Sequence, residues 1–187
     1  MPEDSALLAV LGDIRTRGAI GEASLTVAVA HAERFVDALP PGAYSLADLG
    51  SGGGLPGLVI AMRRPDISVM LVERRRSRSD LLQKAVRALG VTDHVEVFAG
   101  DVAALARIRP NSFDAVTARS FAAPQVTSRW AAELLAPGGT LVVSEPPQES
   151  SGRWPTAMLG SVGLVESDRA AGRPGGGVRV FRKLPST

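Results

Sequence analysis

Apolar positions recur at helical spacing in EDSALLAVLGDIRTR (residues 3–17) and in EASLTVAVAHAERFVDAL (residues 22–39), where Pro40-Pro41-Gly42 ends the run. That spacing predicts two helices. From Tyr44 the period changes, and short apolar runs alternate with longer helical stretches: SLADLG then 56–63, ISVMLVE then 77–89, HVEVFAG then 101–107, FDAVTAR then 123–135, and GTLVVSE. Five strands separated by helices predict a parallel sheet wound on both faces. The tail breaks the rhythm, with strand candidates at 163–170 (GLVESDRA) and 177–183 (GVRVFRK) joined by AGRPGGG, too short for a crossover helix. These form an antiparallel pair at the C-terminal edge. The expected fold is α/β, a doubly wound, mostly parallel seven-stranded sheet with a C-terminal antiparallel hairpin. Residues 1–42 read as an N-terminal helical extension and 43–187 as the core of one domain.

Composition narrows the chemistry. A chain of 187 residues with 45% apolar and 21% charged positions can bury a core of its own. With no cysteine, and with His31 and His94 as its two histidines, it offers no disulfide framework, thiol nucleophile or histidine-rich metal centre. Its 21 basic and 19 acidic residues give a formal charge of +2, too even for a surface that binds polyanions everywhere. The local run Glu73-Arg74-Arg75-Arg76-Ser77-Arg78, with Arg63 and Arg64 upstream, is different. It can track an RNA backbone, or it is a solvated helix start whose arginines oppose the helix dipole. No stretch reaches the roughly 18 apolar residues of a membrane span, and MPEDSALLAV lacks the basic start of a signal peptide. The expectation is a soluble, cytoplasmic, monomeric protein with neither membrane nor DNA among its partners.

The densest signal is Asp48-Leu49-Gly50-Ser51-Gly52-Gly53-Gly54-Leu55-Pro56-Gly57, between the first strand of the sheet and the next helix. Glycines there let backbone approach a ligand without interference from Cβ. The segment 52–57 fits the GxGxxG pattern of dinucleotide-binding loops, but three features oppose a pyrophosphate. Asp48 stands directly before the glycines and would repel it. Pro56 sits where the helix should offer N–H groups, and proline has none. The terminal hairpin also suits methyltransferases better than dehydrogenases. S-adenosylmethionine meets the requirements instead, because it carries an ammonium and a sulfonium but no phosphate. Asp48 can hold its ammonium side, directly or through water. Glu73, ending the second strand, can accept both ribose hydroxyls. Asp101 can take the adenine amino group while Val102 offers a backbone N–H. Each acid alone is more often a cap or a solvated residue, Asp101 being a plausible N-cap. Three at the carboxyl ends of successive strands form a joint signal, since ligands in such sheets bind along that edge. The expected cofactor set is Asp48, Gly50, Ser51, Gly52, Gly54, Pro56, Glu73, Arg74, Asp101 and Val102, with no metal.

These residues carry a resemblance. DLGSGGGLPGLVIA, with its Leu55-Pro56-Gly57 continuation, is similar to the bacterial 16S ribosomal RNA guanine-N7 methyltransferases of the RsmG/GidB type, and the match runs from about Glu33 to Ser144. Arg34-Phe35-Val36-Asp37-Ala38-Leu39 looks like that family's helix end before the first strand, RPDISVMLVERRRSRSDLLQKAVRALG like its second strand and following helix, and FDAVTARSFA like its fourth strand closed by Arg119. The resemblance implies a Rossmann-like class I methyltransferase fold, S-adenosylmethionine as cofactor, and ribosomal RNA or the small ribosomal subunit as partner. Three departures stand out: a shorter N-terminal helical region, Asp101-Val102-Ala103 where the family has Arg-x-Glu, and Ser144-Glu145-Pro146-Pro147 where it has Lys-Gly.

Guanine N7 is already a nucleophilic lone pair, so its methylation needs no general base; orientation and a water-poor pocket supply most of the rate. Consistently, no Ser/His/Asp set can be assembled around the loop. The (D/N)PP(Y/F) signature of amino-group methylation is also missing after the fourth strand, where Ala118-Arg119-Ser120-Phe121 stands. Arg119 is the leading catalytic candidate, contacting phosphate or the guanine edge; alternatively it is a structural partner of Glu73 or Asp101. His31 and His94 read as structural, Trp130 and Trp154 as packing residues, with base stacking an alternative for Trp154. Pro146-Pro147, ending in Gln148, reads as a loop breaker. Two other functions stay open: a small-molecule or protein methyltransferase, and a cofactor-binding module without transfer activity.

Overall fold

The computed structural model describes residues 2–22, 24–42, 44–146, 152–167 and 177–185. Strands β1 (Tyr44–Leu49), β2 (Ile67–Glu73), β3 (Val95–Ala99), β4 (Phe113–Ala118) and β5 (Leu135–Ser144) pair in parallel. With β6 (Leu164–Glu166) and β7 (Val178–Lys183) they form one sheet ordered β3-β2-β1-β4-β5-β7-β6. β7 is antiparallel to both neighbours. The α/β, doubly wound, mostly parallel seven-stranded architecture with its C-terminal antiparallel hairpin is as expected. Within that hairpin it is β7, the last strand, that lies inside the sheet and β6 that forms the edge.

Near-continuous burial along β1, β2 and β4 follows from covering both faces of a parallel sheet. One face carries α1 (Pro2–Thr16), α2 (Leu25–Ala38), α3 (Gly57–Arg63) and α4 (Arg76–Ala88), whose Leu7, Leu11, Phe35, Ile60 and Leu82 pack with Leu46 and Leu71 of the sheet. The other carries α5 (Val102–Ile108), α6 (Pro124–Leu134) and α7 (Thr156–Ser161), where Leu105, Leu134 and Leu159 meet Leu49, Val72 and Leu141. The N-terminal helices share the core of the sheet. Arg63 of α3 ties them down through Asp4 of α1 and Glu33 of α2.

Three expectations need correction. The strand expected at 163–170 spans only Leu164–Glu166, and residues 168–170 lie outside the described residues, as do 171–176 of the connecting loop, Pro147 and Gln148. The helix expected at 123–135 passes directly into β5, which begins at Leu135 rather than Gly139. Leu135 pairs with Phe113, and the register then shifts so that Thr140 pairs with Ala115. Ala136-Pro137-Gly138-Gly139 bulges between them, as a proline without a donor and two glycines permit. α7 was not expected, because a single short turn amid Gly, Pro and Ser leaves no periodic signal.

α3 approaches the sheet closely at Gly57, where a Cβ would run into Leu71 Cδ2 and lie 2.8 Å from Asp48 Oδ2. Gly57→Ala should therefore cost about 1–3 kcal/mol by overpacking, measured as a lower urea midpoint with an unchanged slope.

Candidate functional site

Parallel strands bring their carboxyl ends to one edge, so the residues that follow β1, β2, β3 and β4 meet there. The turn after β1 is held by its own backbone and by β2. Ser51 N–H donates to Val72 O at 3.0 Å, Ser51 Oγ to Asp48 O at 2.9 Å, and Gly54 N–H to Ser51 O at 2.7 Å. Gly50 adopts φ +65°, and a Cβ there would lie 2.8 Å from Phe121 Cδ2, so the loop and the residues after β4 touch only because position 50 is glycine. Pro56 occupies the N-cap of α3 and offers no N–H at that end.

Glu73 is buried and its carboxylate is shared between two loops: Oε2 accepts from Gly52 N–H at 3.0 Å, and Oε1 from Arg75 N–H at 2.7 Å. Its carbonyl oxygen accepts from Gly100 N–H at 3.1 Å. Each carboxylate oxygen keeps a further lone-pair direction for a ligand hydroxyl. Asp101 is the N-cap of α5, with Oδ1 accepting from Ala104 N–H at 3.0 Å. Its side chain is exposed and Val102, next to it, is buried.

A cleft of about 490 Å³ lies above these groups. Gly50, Glu73, Arg74, Asp101 and Val102 line it, bringing five of the expected cofactor residues together. Asp48, Ser51, Gly52, Gly54 and Pro56 do not line it: they shape the loop beneath. The remaining wall comes from Ser120, Phe121, Ala122, Val126 and Trp130. Sequence reasoning passed over this wall, although Ala122, Val126 and Trp130 stand four residues apart, the spacing of one helix face. Arg75 and Arg78 also reach the cleft, so the arginine run is part of its rim.

Asp48 is the deepest ionisable group. Register places it beside Leu71 and Thr117, and Thr117 Oγ1 donates to its Oδ1 at 2.7 Å. Its Oδ2 is buried without a hydrogen-bond partner. Burial pushes the carboxyl up to about 6, opposed by the hydroxyls of Thr117 and Ser51, by the Gly57 N–H and least by the charge of Arg119. Arg119 is half-buried, and burial lowers its pKa while Asp48 raises it. Glu73 and Asp101, the alternative partners expected for Arg119, are engaged with backbone N–H groups, and the acid whose charge raises the Arg119 pKa is Asp48.

His94 is structural, with Nε2 3.1 Å from Ala61 O. Trp154 is buried on Phe181, with centroids 5.0 Å apart, which removes base stacking as its role. Its Nε1 donates to Glu145 Oε1 at 2.6 Å, which gives the acid at that position a packing reason.

The sequence matches the GidB family, rRNA small subunit methyltransferase G, over residues 27–149. The chain belongs to that family. Relatives named ribosomal RNA small subunit methyltransferase G include those of Acidiphilium cryptum, 46% identical over 54% of this chain and 44% of the relative, and Salinispora tropica, 42% identical over 52% and 42%. That of Neisseria meningitidis serogroup B is 38% identical over 61% and 54%. The chain spans about half the length of these relatives. Among solved structures, an O-methyltransferase family protein from Burkholderia thailandensis superposes with a TM-score of 0.66 at 15% identity, over 84% of this chain and 57% of that one. Geranyl diphosphate C-methyltransferase from Streptomyces coelicolor, solved with S-adenosyl-L-homocysteine, gives 0.63 at 16%, over 83% and 76%. These likenesses establish the class I methyltransferase fold.

Because the folded pKa of Asp48 lies above its ordinary 3.8, its carboxyl favours folding when protonated. That contribution is full below the ordinary value and is lost as pH rises through the folded one, a fall on the order of 3 kcal/mol. Urea unfolding of the ligand-free protein from about pH 4 to about pH 7 should show wild type losing this stability relative to Asp48→Asn.

Proposed function

We propose that this GidB-family protein is an S-adenosylmethionine-dependent methyltransferase acting on guanine N7 of 16S ribosomal RNA. The observation that carries the cofactor is the cleft itself. Its floor is a carboxylate with acceptor capacity left, its wall is apolar, and the adjoining helix starts with a proline instead of phosphate-binding N–H groups. Glu73 would hold the ribose hydroxyls, Asp101 and Val102 the adenine edge against Phe121, Val126 and Trp130, and Gly50 the backbone approach. The orphaned Oδ2 of Asp48, beneath the same loop, suits the ammonium end through water. When bound, S-adenosylmethionine supplies an electrophilic methyl group.

Family membership supports RNA as the acceptor, as does the arginine rim of Arg74, Arg75 and Arg78. Among the described residues, the carboxylates that line the cleft, Glu73 and Asp101, are engaged with backbone N–H groups, and no general base is needed, because guanine N7 has no proton to lose. This chain's residues would bind, orient and exclude water. Arg119, at the end of β4, would orient the acceptor through its phosphate or its base edge.

Calorimetry should find S-adenosylmethionine or its demethylated product bound in preference to NAD; NAD binding alone would sink the reading. Glu73→Ala should weaken cofactor binding by about 1–3 kcal/mol or more, since it removes ribose acceptors and loosens the glycine loop together. Arg119→Ala should keep cofactor affinity within about tenfold, or about 1.4 kcal/mol, while methyl transfer from labelled cofactor to undermethylated small subunits falls by at least that factor. Cofactor binding by wild type without any transfer to subunits or free RNA would leave a binding module.

A further inference from the structure

The glycine loop has a second neighbour, on the side away from the cleft. Gly50, Gly52 and Gly54 hold φ of +65°, +54° and +90°, a backbone conformation in which side chains are strained. Gly53 lies outside that region, so its conformation does not call for glycine. Space does: a Cβ at Gly53 would run into Ile20 Cγ1 and lie 2.7 Å from Ala19 O. A side chain can turn aside, but a carbonyl oxygen moves only with its backbone.

Ala19 and Ile20 stand in the connection between α1 and α2, and the end of α1 delivers them. Gly18, at φ +73°, donates its N–H to Arg15 O at 2.9 Å, and Ala19 N–H reaches back to Ile14 O at 3.3 Å. This pair of bonds around a left-handed glycine is the Schellman ending of a helix, and it fixes the direction in which the chain leaves. Ile20 then packs, partly buried, on the core that holds Ile14, Leu55 and Leu82. Gly52 is tied to Glu73 through its N–H, and the next residue meets the connection. None of residues 17–22 lines the cleft, and the family match begins only at residue 27.

A run of three glycines, 52–54, loses more conformational freedom on ordering than any other run of that length. A ligand that has to order it binds more weakly than one that finds it ordered. We propose that Ala19 and Ile20 are positioning residues for the cofactor, packing on Gly53 so that the glycine loop keeps its binding conformation before S-adenosylmethionine arrives. The inference rests on the cofactor reading above and deepens it, giving the N-terminal extension a part in cofactor affinity without contact with the cofactor.

The test uses the full chain, with S-adenosylmethionine titrated by calorimetry and amide exchange followed by NMR. Ile20→Ala should raise the Kd at least about fivefold, through lost preorganisation. Ile20→Val, which keeps the Cγ1 that meets Gly53, and Val10→Ala, a truncation in α1 within the same core, should stay within about twofold of wild type. In ligand-free Ile20→Ala the Gly52 and Gly54 amides should exchange at least about fivefold faster while those of Leu46–Asp48 in β1 keep their rates, as a local opening requires. Linkage makes the effect reciprocal, so cofactor added to wild type should slow exchange at Gly18 and Ala19, outside the cleft. Wild-type affinity and loop exchange in Ile20→Ala, or unmoved Gly18 and Ala19 amides in liganded wild type, overturn the proposal and leave the cofactor reading standing. Equal loss of affinity in Val10→Ala or Ile20→Val, or equal acceleration along β1, overturns it too, by assigning the effect to overall stability. A wild type that binds no S-adenosylmethionine fails the cofactor reading, and the positioning role with it.

Discussion

Glu73 is the tie on which the cleft depends. Its two carboxylate oxygens and its carbonyl each accept a backbone N–H, from Gly52 after β1, Arg75 after β2 and Gly100 after β3. Three loops that share no sequence proximity are fixed to one residue. Charge-assisted hydrogen bonds of this kind are about twice as strong as neutral ones. Two of the three depend on a carboxylate at position 73. A substitution there would act on the proposed ligand contact and on loop order at once, so only comparison of binding with loop protection separates the two.

Asp48 follows a different logic. A carboxylate with one oxygen bonded to Thr117 and the other unpartnered is costly to bury, and its raised pKa is the record of that cost. Strained electrostatics of this kind gather at functional sites. Arg119 shares the arrangement from the cationic side. Neither group satisfies the other fully, which leaves the carboxyl edge with one acceptor and a set of donors available to molecules that arrive there.

The arginine run shows how placement changes the meaning of charge. Arg74 and Arg75 are exposed and Arg78 is partly covered, and all three stand on the rim of the cleft at the start of α4. Arginines at a helix N-terminus oppose its dipole, yet there they face an opening whose proposed acceptor is a polyanion. At the opposite edge of the sheet, Lys183 spends its donors on Asn111, Ala132 and Leu135 and serves only to close the C-terminal strand.

The sequence by itself determined the fold class, the order of elements from Tyr44 to Ser144, and the loop–carboxylate pattern around Asp48, Glu73 and Asp101. Each of these is written in local periodicity or in short spacing, which survive without knowledge of contacts. It also placed the terminal hairpin, while the pairing of β7 between β5 and β6 is decided across the sheet. Only the tertiary structure decided which members of the glycine loop line the cleft and which lie beneath it. It made Asp48 the acid whose charge bears on Arg119, added Phe121, Val126 and Trp130 as a wall, and brought His31 and Arg34 to Gly177. These are meetings between residues far apart in the chain, fixed by sheet register and helix docking, and no local pattern encodes them.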